Sequence, residues 1–241
     1  MSNAPNHFNQ KFAGQVREWA GTDSEARFNN HVNNPETREK LRQMGWLNMK
    51  IHYRYNSEGF RDEEFDQRPA YIALGCSHTQ GVGIPEPATW PKQLENLLNI
   101  KVWNLGVGGS AADTCFRLLD YWIHHLNVLA VVCAVPPILR FEVFDANHKW
   151  MSILHDHRMY QLWLQGYVKN YFSFDESSEL NRKKNLMAMQ HICDTKGIPF
   201  YYDTLETFGG VNMARDLAHC GVEANRSLAA EFHTQITGEK I

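Results

Sequence analysis

The sequence lacks the features that mark several special classes of protein. It has five cysteines among 241 residues, at wide spacing and with no Cys-x-x-Cys pair, which argues against a disulfide framework and a zinc site. The odd number favours reduced thiols in a cytosol-like compartment. Lys and Arg number 24 against 27 Asp and Glu, so the chain has no basic footprint for a nucleic acid.

Long hydrophobic runs are also missing. The longest, Val128 to Leu139, contains two prolines and is too short to span a bilayer. The N-terminus from Met1 to Phe12 is polar and has no apolar stretch of the kind that a secretory signal needs. We therefore expect no transmembrane segment, no signal peptide and no membrane partner.

What the chain does contain is an alternation of strand and helix patterns. Short apolar runs predict core strands at Tyr71 to Leu74, Lys101 to Asn104, Val128 to Val135 and Ile198 to Tyr202. Helical spacing of apolar residues is found at Pro91 to Leu98, Ala111 to Leu126, Asn181 to Lys196 and Val222 to Thr234. This alternation predicts an α/β fold with a parallel sheet covered on both faces.

The ends of this pattern suggest two parts. Residues 1–50 are predicted to be a helical N-terminal appendage, with one helix capped at Asp23-Ser24 and another running from Pro35 to Trp46. Residues 51–241 form the α/β domain, in which Ile51 to Tyr55 favours a strand. The aromatic stretch from about Arg140 to Glu179 is interpreted as irregular. We favour core or interface over substrate binding for its rings.

Ser77 stands where a reactive group would be placed in such a fold. It follows the first core strand, in the turn Gly75 to Thr79, and the carboxyl edge of a parallel sheet is where ligands bind. If a helix begins there, the Ser77 N–H points into the site and can stabilise an oxyanion. The same segment is also compatible with an ordinary strand-to-loop turn.

A second segment supplies partners for a nucleophilic serine. Asp216 and His219 are three residues apart, so their side chains lie on one side of a turn. An Asp beside a His can orient the ring and stabilise the imidazolium while the His takes the serine proton. A single pair of this kind is often accidental, but its place just before the last predicted helix favours a role.

A third segment is the glycine-rich run Asn104 to Gly109. Glycine here lets a substrate oxygen approach backbone N–H groups. The run lacks both the full Gly-x-Gly-x-x-Gly pattern and the lysine of a phosphate-binding loop, so a nucleotide site is not indicated.

Together the three segments resemble the SGNH/GDSL hydrolase family over roughly residues 51–235. The stretch from Gly75 through Trp90 to Gly109 looks like its first two blocks, and Asp216 to His219 looks like its last. The run Asn56 to Phe65 is similar to a lead-in seen in SGNH-like proteins of bacteria and phages.

The resemblance implies a flavodoxin-like three-layer α/β/α sandwich and a serine hydrolase without a cofactor. Ser77 would be the nucleophile, His219 the general base and Asp216 its orienter. The N–H groups of Ser77 and Gly106 would be the oxyanion donors, with Asn104 near the substrate.

One departure from the family concerns the oxyanion site. In the family, the next core strand ends with an asparagine whose side chain is a third oxyanion donor. In this sequence Pro136 stands at that position. Proline can donate nothing, and losing one such donor costs about 100- to 1000-fold in kcat. Arg140 and Asn147 are candidate substitutes near the substrate, although a local ion pair between Arg140 and Glu142 is the interpretation that we favour.

Other side chains near these motifs receive plainer interpretations. His78 is expected to pack or face solvent more than to approach the site, and Cys76 to be a small buried thiol. His148 and the run His155 to His157 carry ligand-type side chains, but no fourth ligand at a telling spacing is present, so no metal is expected.

Two hypotheses follow. The first is a serine esterase or deacetylase that acts on a short acyl ester, such as an acylated carbohydrate; acyl transfer to another alcohol would use the same residues. The second is a non-catalytic or weakly active structural or binding component, for example of a phage particle. The protein would accordingly be cytoplasmic or virion-associated, with a homo-oligomer or virion assembly as its expected macromolecular partner.

Overall fold

A computed structural model describes residues 5–144, 150–154, 162–172, 175–205 and 212–240. Strands in this part of the chain are β1 (Val16–Arg17), β2 (Tyr53–Arg54), β3 (Ala70–Gly75), β4 (Lys101–Asn104), β5 (Val128–Val135), β6 (Arg140–Phe144), β7 (Trp150–Leu154) and β8 (Phe200–Thr204). Helices are α1 (Glu25–Asn33), α2 (Pro35–Gln43), α3 (Ser77–Gln80), α4 (Trp90–Leu98), α5 (Ala112–Trp122), α6 (Leu162–Tyr171), α7 (Asp175–Lys196) and α8 (Val222–Thr237).

The central sheet is parallel, with the strand order β4-β3-β5-β8. Counted along the chain, its strands therefore follow the order 2-1-3-4, as in the first four strands of a flavodoxin-like sheet. The carboxyl ends of β3 and β5 are in register, with Gly75 opposite Ala134. The four predicted core strands are confirmed, two of them with the predicted boundaries.

Helices cover both faces of this sheet, because alternate residues of a strand point to opposite sides. Ile72 and Leu74 face a cluster that includes Leu118 of α5 and Met189 of α7. Ala73 faces a second cluster on the other side. There, the helices α4 and α8 meet where the buried ring of Trp90 lies 5.0 Å from that of Phe232. The predicted three-layer α/β/α sandwich is thereby confirmed.

The N-terminal residues pack on one end of this sandwich. Ser24 caps α1 by accepting a hydrogen bond from the N–H of Arg27, and Asn34 caps α2. Strand β1 pairs with β2. Leu41 and Trp46 belong to a cluster of buried residues that also contains Ile84 and Ala214 of the α/β part. The N-terminal residues and the α/β part thus share one hydrophobic cluster at this end of the molecule.

The aromatic middle segment is more regular than its sequence indicates. Strands β6 and β7 form an antiparallel hairpin, and α6 packs on it. Phe141, Ile153, Leu164 and Val168 form a small buried cluster between them. The interpretation of this stretch as irregular is therefore wrong for its described residues, because the aromatic residues hide a two-residue alternation.

Helix α7 begins at Asp175, earlier than the predicted start at Asn181. The two acidic residues in its first turn, Asp175 and Glu176, suit the positive end of a helix dipole, which extends the helix beyond its apolar pattern.

No helix in the described part of the chain combines the length and apolarity that a membrane crossing requires.

Candidate active site

Ser77 occupies a sharp strand-to-helix turn. Strand β3 ends at Gly75, Cys76 is the N-cap and Ser77 is the first residue of α3. Gly75 has a φ of 152°, and a Cβ there would collide with the Thr79 hydroxyl and lie 2.8 Å from the carbonyl oxygen of Ala134. Only glycine permits this turn, which places Ser77 at the carboxyl edge of the sheet with 8% of its surface exposed.

Asp216 and His219 lie in a turn that the Asp216 side chain itself stabilises. Oδ1 of Asp216 accepts hydrogen bonds from the N–H groups of Ala218 at 3.1 Å and His219 at 3.0 Å. Leu217, which directly follows Asp216, adopts a φ of 49°, which an L-residue rarely does. The turn closes where the N–H of Ala214 donates to the carbonyl oxygen of His219. Both side chains consequently project to the same side.

The structure brings the three residues into one chain of hydrogen bonds. The Ser77 Oγ lies 2.7 Å from Nε2 of His219, and Nδ1 of His219 lies 2.6 Å from Oδ2 of Asp216. A carboxylate beside Nδ1 favours the tautomer with the proton on Nδ1. Nε2 is then an acceptor for the Ser77 hydroxyl proton. This is the arrangement in which a serine can be deprotonated as it attacks a carbonyl carbon.

The electrostatics of Asp216 keep its carboxylate charged. Burial alone would raise the pKa of Asp216, but the hydrogen bond and charge of His219, together with the Thr22 hydroxyl and the Ala218 N–H, hold it well below its usual range. The carboxyl side chain is completely buried. Asp216 is therefore a permanent negative charge behind the imidazole ring.

His78 lies closer to the site than its sequence context suggests. Its ring centroid is 4.8 Å from that of His219, so His78 does approach the site, the alternative less favoured from the sequence than packing or facing solvent. Burial and the neighbouring charges of His219 and Arg140 lower the pKa of His78 to about 3, against the opposing effect of Asp216. His78 is therefore an uncharged ring beside His219 near neutral pH.

The structure places Asn104 and Gly106 in supporting roles. The N–H of Gly106 donates to Oδ1 of Asn104 at 2.9 Å, so it already has an acceptor. The Asn104 amide donates to the carbonyl oxygen of Thr79, and its backbone N–H to Asp62. A Cβ at Gly106 would collide with the backbone of α3. We therefore correct the expectation for both residues: they join β4 to α3, and Gly106 has no spare donor for an oxyanion.

Arg140 and Glu142 do not form the local ion pair favoured from the sequence. Glu142 pairs with Arg117 at 2.9 Å and accepts from the Thr114 hydroxyl, both on α5. Arg140 donates to the carbonyl oxygen of Ser110 at 3.2 Å. Its charge contributes to the lowered pKa of His78.

Several other expectations fall outside what the structure describes. Asn147, His148 and the run His155 to His157 lie outside the described residues. In the ranges that are described, no group of three or more His, Cys, Asp or Glu side chains is arranged to hold a metal ion. Cys76 is a free, buried thiol.

The sequence patterns missed residues from the N-terminal segment. The Thr22 hydroxyl donates to Oδ2 of Asp216 at 2.5 Å, and Nε of Arg27 donates to the Asp216 carbonyl oxygen at 2.9 Å. Thr22 and Asp216 are 194 positions apart. No local pattern could have paired them, because the contact depends on how the N-terminal segment packs.

Comparison with protein-family models gives no match, and comparison with curated proteins gives none either. Among solved structures, the fold is similar to that of the psychrotrophic esterase EstA from Pseudoalteromonas sp., at 13% identity and a TM-score of 0.41. That similarity covers 70% of this chain and 97% of the esterase.

Two further solved structures have a comparable sequence identity and TM-score. The SGNH-hydrolase family esterase AlinE4 is 13% identical with a TM-score of 0.36, over 74% of this chain and 76% of that one. A carbohydrate acetylesterase family member from Sinorhizobium meliloti is 12% identical with a TM-score of 0.36, over 70% of this chain and 100% of that one.

Proposed function

We propose that this protein is a serine hydrolase of SGNH type that cleaves a short acyl ester. Ser77 is the nucleophile, His219 the general base and Asp216 the residue that orients His219. One observation carries the proposal: the two hydrogen bonds of 2.7 and 2.6 Å that link the three side chains in order. This geometry satisfies the requirement that a base lie within hydrogen-bond reach of the proton it abstracts.

The reaction proceeds in two steps. Oγ of Ser77 attacks the ester carbonyl carbon while its proton passes to Nε2 of His219, and the adjacent negative charge of Asp216 stabilises the imidazolium. His219 then returns the proton to the leaving alcohol, which leaves an acyl group on Ser77. Water, deprotonated by the same histidine, releases the acid. An acceptor alcohol in place of water would give acyl transfer with the same residues.

The oxyanion that forms in each step needs hydrogen-bond donors. We assign the backbone N–H of Ser77, which has no acceptor within α3 because it belongs to the first residue of that helix. Gly106 is excluded by its bond to Asn104, and Pro136 has no N–H. With fewer donors than the family pattern implies, turnover should be slow, by about 100-fold for each donor lost.

The surroundings of Ser77 favour a small acyl group. Little of the Ser77 surface is exposed, and the ring of His78 stands beside that of His219. We also propose a carbohydrate as the alcohol part of the ester. Phe144 and Trp150 support this, because their side chains are exposed on the β6–β7 hairpin with ring centroids 5.3 Å apart.

A second candidate is a structural or binding component with little or no catalysis, for example in a phage particle. The specific observation in its favour is the sparse oxyanion site, with Gly106 engaged and Pro136 unable to donate. On this alternative the hydrogen-bonded triad would remain, but a well-folded protein would not turn over esters.

Steady-state hydrolysis of p-nitrophenyl esters separates the two candidates. We expect measurable turnover that is faster with acetate than with octanoate, and that is abolished in Ser77→Ala. Asp216→Asn should lower kcat by about 10,000-fold, because an amide stabilises the wrong imidazole tautomer.

The matched control is Ser227→Ala, a substitution at an exposed serine of α8, which should keep full activity. Absence of turnover by a folded wild-type protein, or turnover that survives Ser77→Ala, would contradict the proposal.

A further inference from the structure

The N-terminal segment reaches the active site through a rigid turn. The N–H of Ala20 donates to the carbonyl oxygen of Asp23 at 2.9 Å, and the N–H of Asp23 donates back to Ala20 at 3.1 Å. These two bonds fold residues 20–23 into a closed loop with Thr22 at its tip. The position of Thr22 is therefore set by the residues on either side of it.

A buried ion pair anchors that loop to the catalytic turn. The Asp23 carboxylate accepts from the Arg215 guanidinium at 2.6 and 2.9 Å, and both side chains are almost fully buried. The Tyr53 hydroxyl donates to the same carboxylate at 2.5 Å. Since Arg215 directly precedes Asp216, Thr22 is held beside Asp216 by contacts independent of its own hydroxyl.

The Thr22 hydroxyl donates to the oxygen of Asp216 that faces the imidazole. Oδ2 of Asp216 accepts from Thr22 Oγ1 at 2.5 Å and from Nδ1 of His219 at 2.6 Å. Oγ1 of Thr22 is also 3.3 Å from that Nδ1. Thr22 thus contacts both residues of the pair that activates the serine.

Two more residues of the N-terminal segment contact the backbone of Asp216. Nε of Arg27 donates to its carbonyl oxygen at 2.9 Å, and Nε2 of His31 lies 3.2 Å from the same oxygen. Three side chains from one segment, two of them on α1, converge on a single catalytic residue. A segment that only covered an edge of the sheet would have no reason to place all three there.

We propose that Thr22 is a positioning residue of the active site, which fixes the plane of the Asp216 carboxylate and moderates its charge toward His219. The proposal rests on the function proposed above. It extends the triad to four hydrogen-bonded side chains, in the order Ser77, His219, Asp216 and Thr22. It also makes the N-terminal segment a part of the catalytic apparatus.

The expected effect of removing the Thr22 hydroxyl follows from the negative charge on Asp216. A hydroxyl that donates to Oδ2 withdraws negative charge from it, so removal of the hydroxyl leaves Asp216 a stronger partner for the imidazolium. His219 would then hold its proton to a higher pH. The substitution would leave the other titratable or charged groups around Asp216 and His219 in place. These are Arg27 and His31 of α1, His78 of α3, Arg140 of β6, and Arg215 and Cys220, which flank the two residues in sequence.

The test compares Thr22→Val with Thr22→Ser in the full-length protein. Thr22 is exposed and valine has nearly the same shape, so both variants should fold. In Thr22→Val we expect kcat to fall about tenfold with KM little changed, and the acidic limb of kcat/KM to move upward by up to about one pH unit. Thr22→Ser should restore both toward wild type, and Thr195→Val, at an exposed threonine of α7, should change neither.

A second measurement keeps this result separate from the proposed function. The pH titration of His219, followed by NMR with His219→Gln for assignment, needs no turnover, and its midpoint should rise in Thr22→Val alone. If esters are hydrolysed through Ser77 while Thr22→Val leaves both the pH limb and the titration unchanged, the role of Thr22 is refuted and the triad stands. If no ester is hydrolysed but the titration midpoint rises, Thr22 does position the pair and the hydrolase proposal fails instead.

Discussion

At the scale of single residues, Asp216 is defined by what donates to it. Backbone N–H groups of Ala218 and His219 occupy Oδ1, and the Thr22 hydroxyl and the His219 ring occupy Oδ2. A buried carboxylate is costly unless it is paired in this way. The same donors that make its burial tolerable also fix its plane against the imidazole, so stability and orientation have one cause.

His7 shows how burial of a titratable residue couples stability to pH. Its ring stacks on Phe60 with centroids 4.4 Å apart, and its Nε2 lies 3.0 Å from the Glu58 carbonyl oxygen. Burial lowers the pKa of His7 to about 4 from 6.5, although the bond to Glu58 opposes this. The unfolded chain therefore takes up a proton at His7 as pH falls below about 6.5, while the folded protein stays neutral there down to about 4.

We predict that this residue makes the protein less stable in mild acid. Between about pH 7 and about pH 5, His7 should lower the free energy of unfolding by about 2 kcal/mol. The measurement is urea unfolding at both pH values for wild type, His7→Gln and the exposed control His191→Gln. The dependence should weaken in His7→Gln alone. Equal dependence in all three proteins would show that His7 is not the cause.

At the scale of elements, the loop after α3 packs against the turn that carries Asp216 and His219. The N–H of Arg215 donates to the carbonyl oxygen of Gly83, and the N–H of Gly83 donates to the Tyr53 hydroxyl. Gly83 has a φ of 80°, and a Cβ there would lie 2.7 Å from the Ala214 Cβ and 3.3 Å from Oδ1 of Asp216. The loop that follows Ser77 and the turn that carries Asp216 and His219 are therefore in direct contact.

Gly83→Ala should consequently impair catalysis beyond its effect on stability. The alanine costs about 1 kcal/mol from its backbone conformation, and its methyl group must displace the Asp216 turn, for which we expect about a 100-fold loss in kcat/KM. The matched control is Gly45→Ala, at an exposed glycine with a φ of 77° and no atom near the added Cβ. Ester hydrolysis and thermal unfolding of both variants are the measurements. Equal activity of the two at equal stability would contradict this account.

Local sequence patterns predicted most of these elements. Strand β5 could be placed to the residue because a continuous β-branched run is typical of a fully buried parallel strand, and Pro136 ends it. The β6–β7 hairpin could not, because aromatic residues on both of its faces mask the alternation of a half-buried sheet. Helix α7 extends past its apolar residues because acidic residues, not apolar ones, begin it.

At the scale of the whole molecule, the site is assembled from distant parts of the chain. Ser77 comes from the turn after β3, Asp216 and His219 from the turn before α8, and Thr22 from the N-terminal segment. The order of the motifs along the chain indicated the first three, since the carboxyl ends of parallel strands meet at one edge. Thr22 and the engaged N–H of Gly106 could not be predicted, because both depend on how separate segments pack.

We propose that Ser77 is a nucleophile activated by His219 and Asp216. The most direct measurement is reaction with a fluorophosphonate, followed by intact-protein mass and peptide mapping. We predict one phosphonyl adduct per chain, located on Ser77, absent in Ser77→Ala and strongly slowed in His219→Gln. A folded wild-type protein that forms no adduct, or one whose adduct lies on another residue, would contradict the claim.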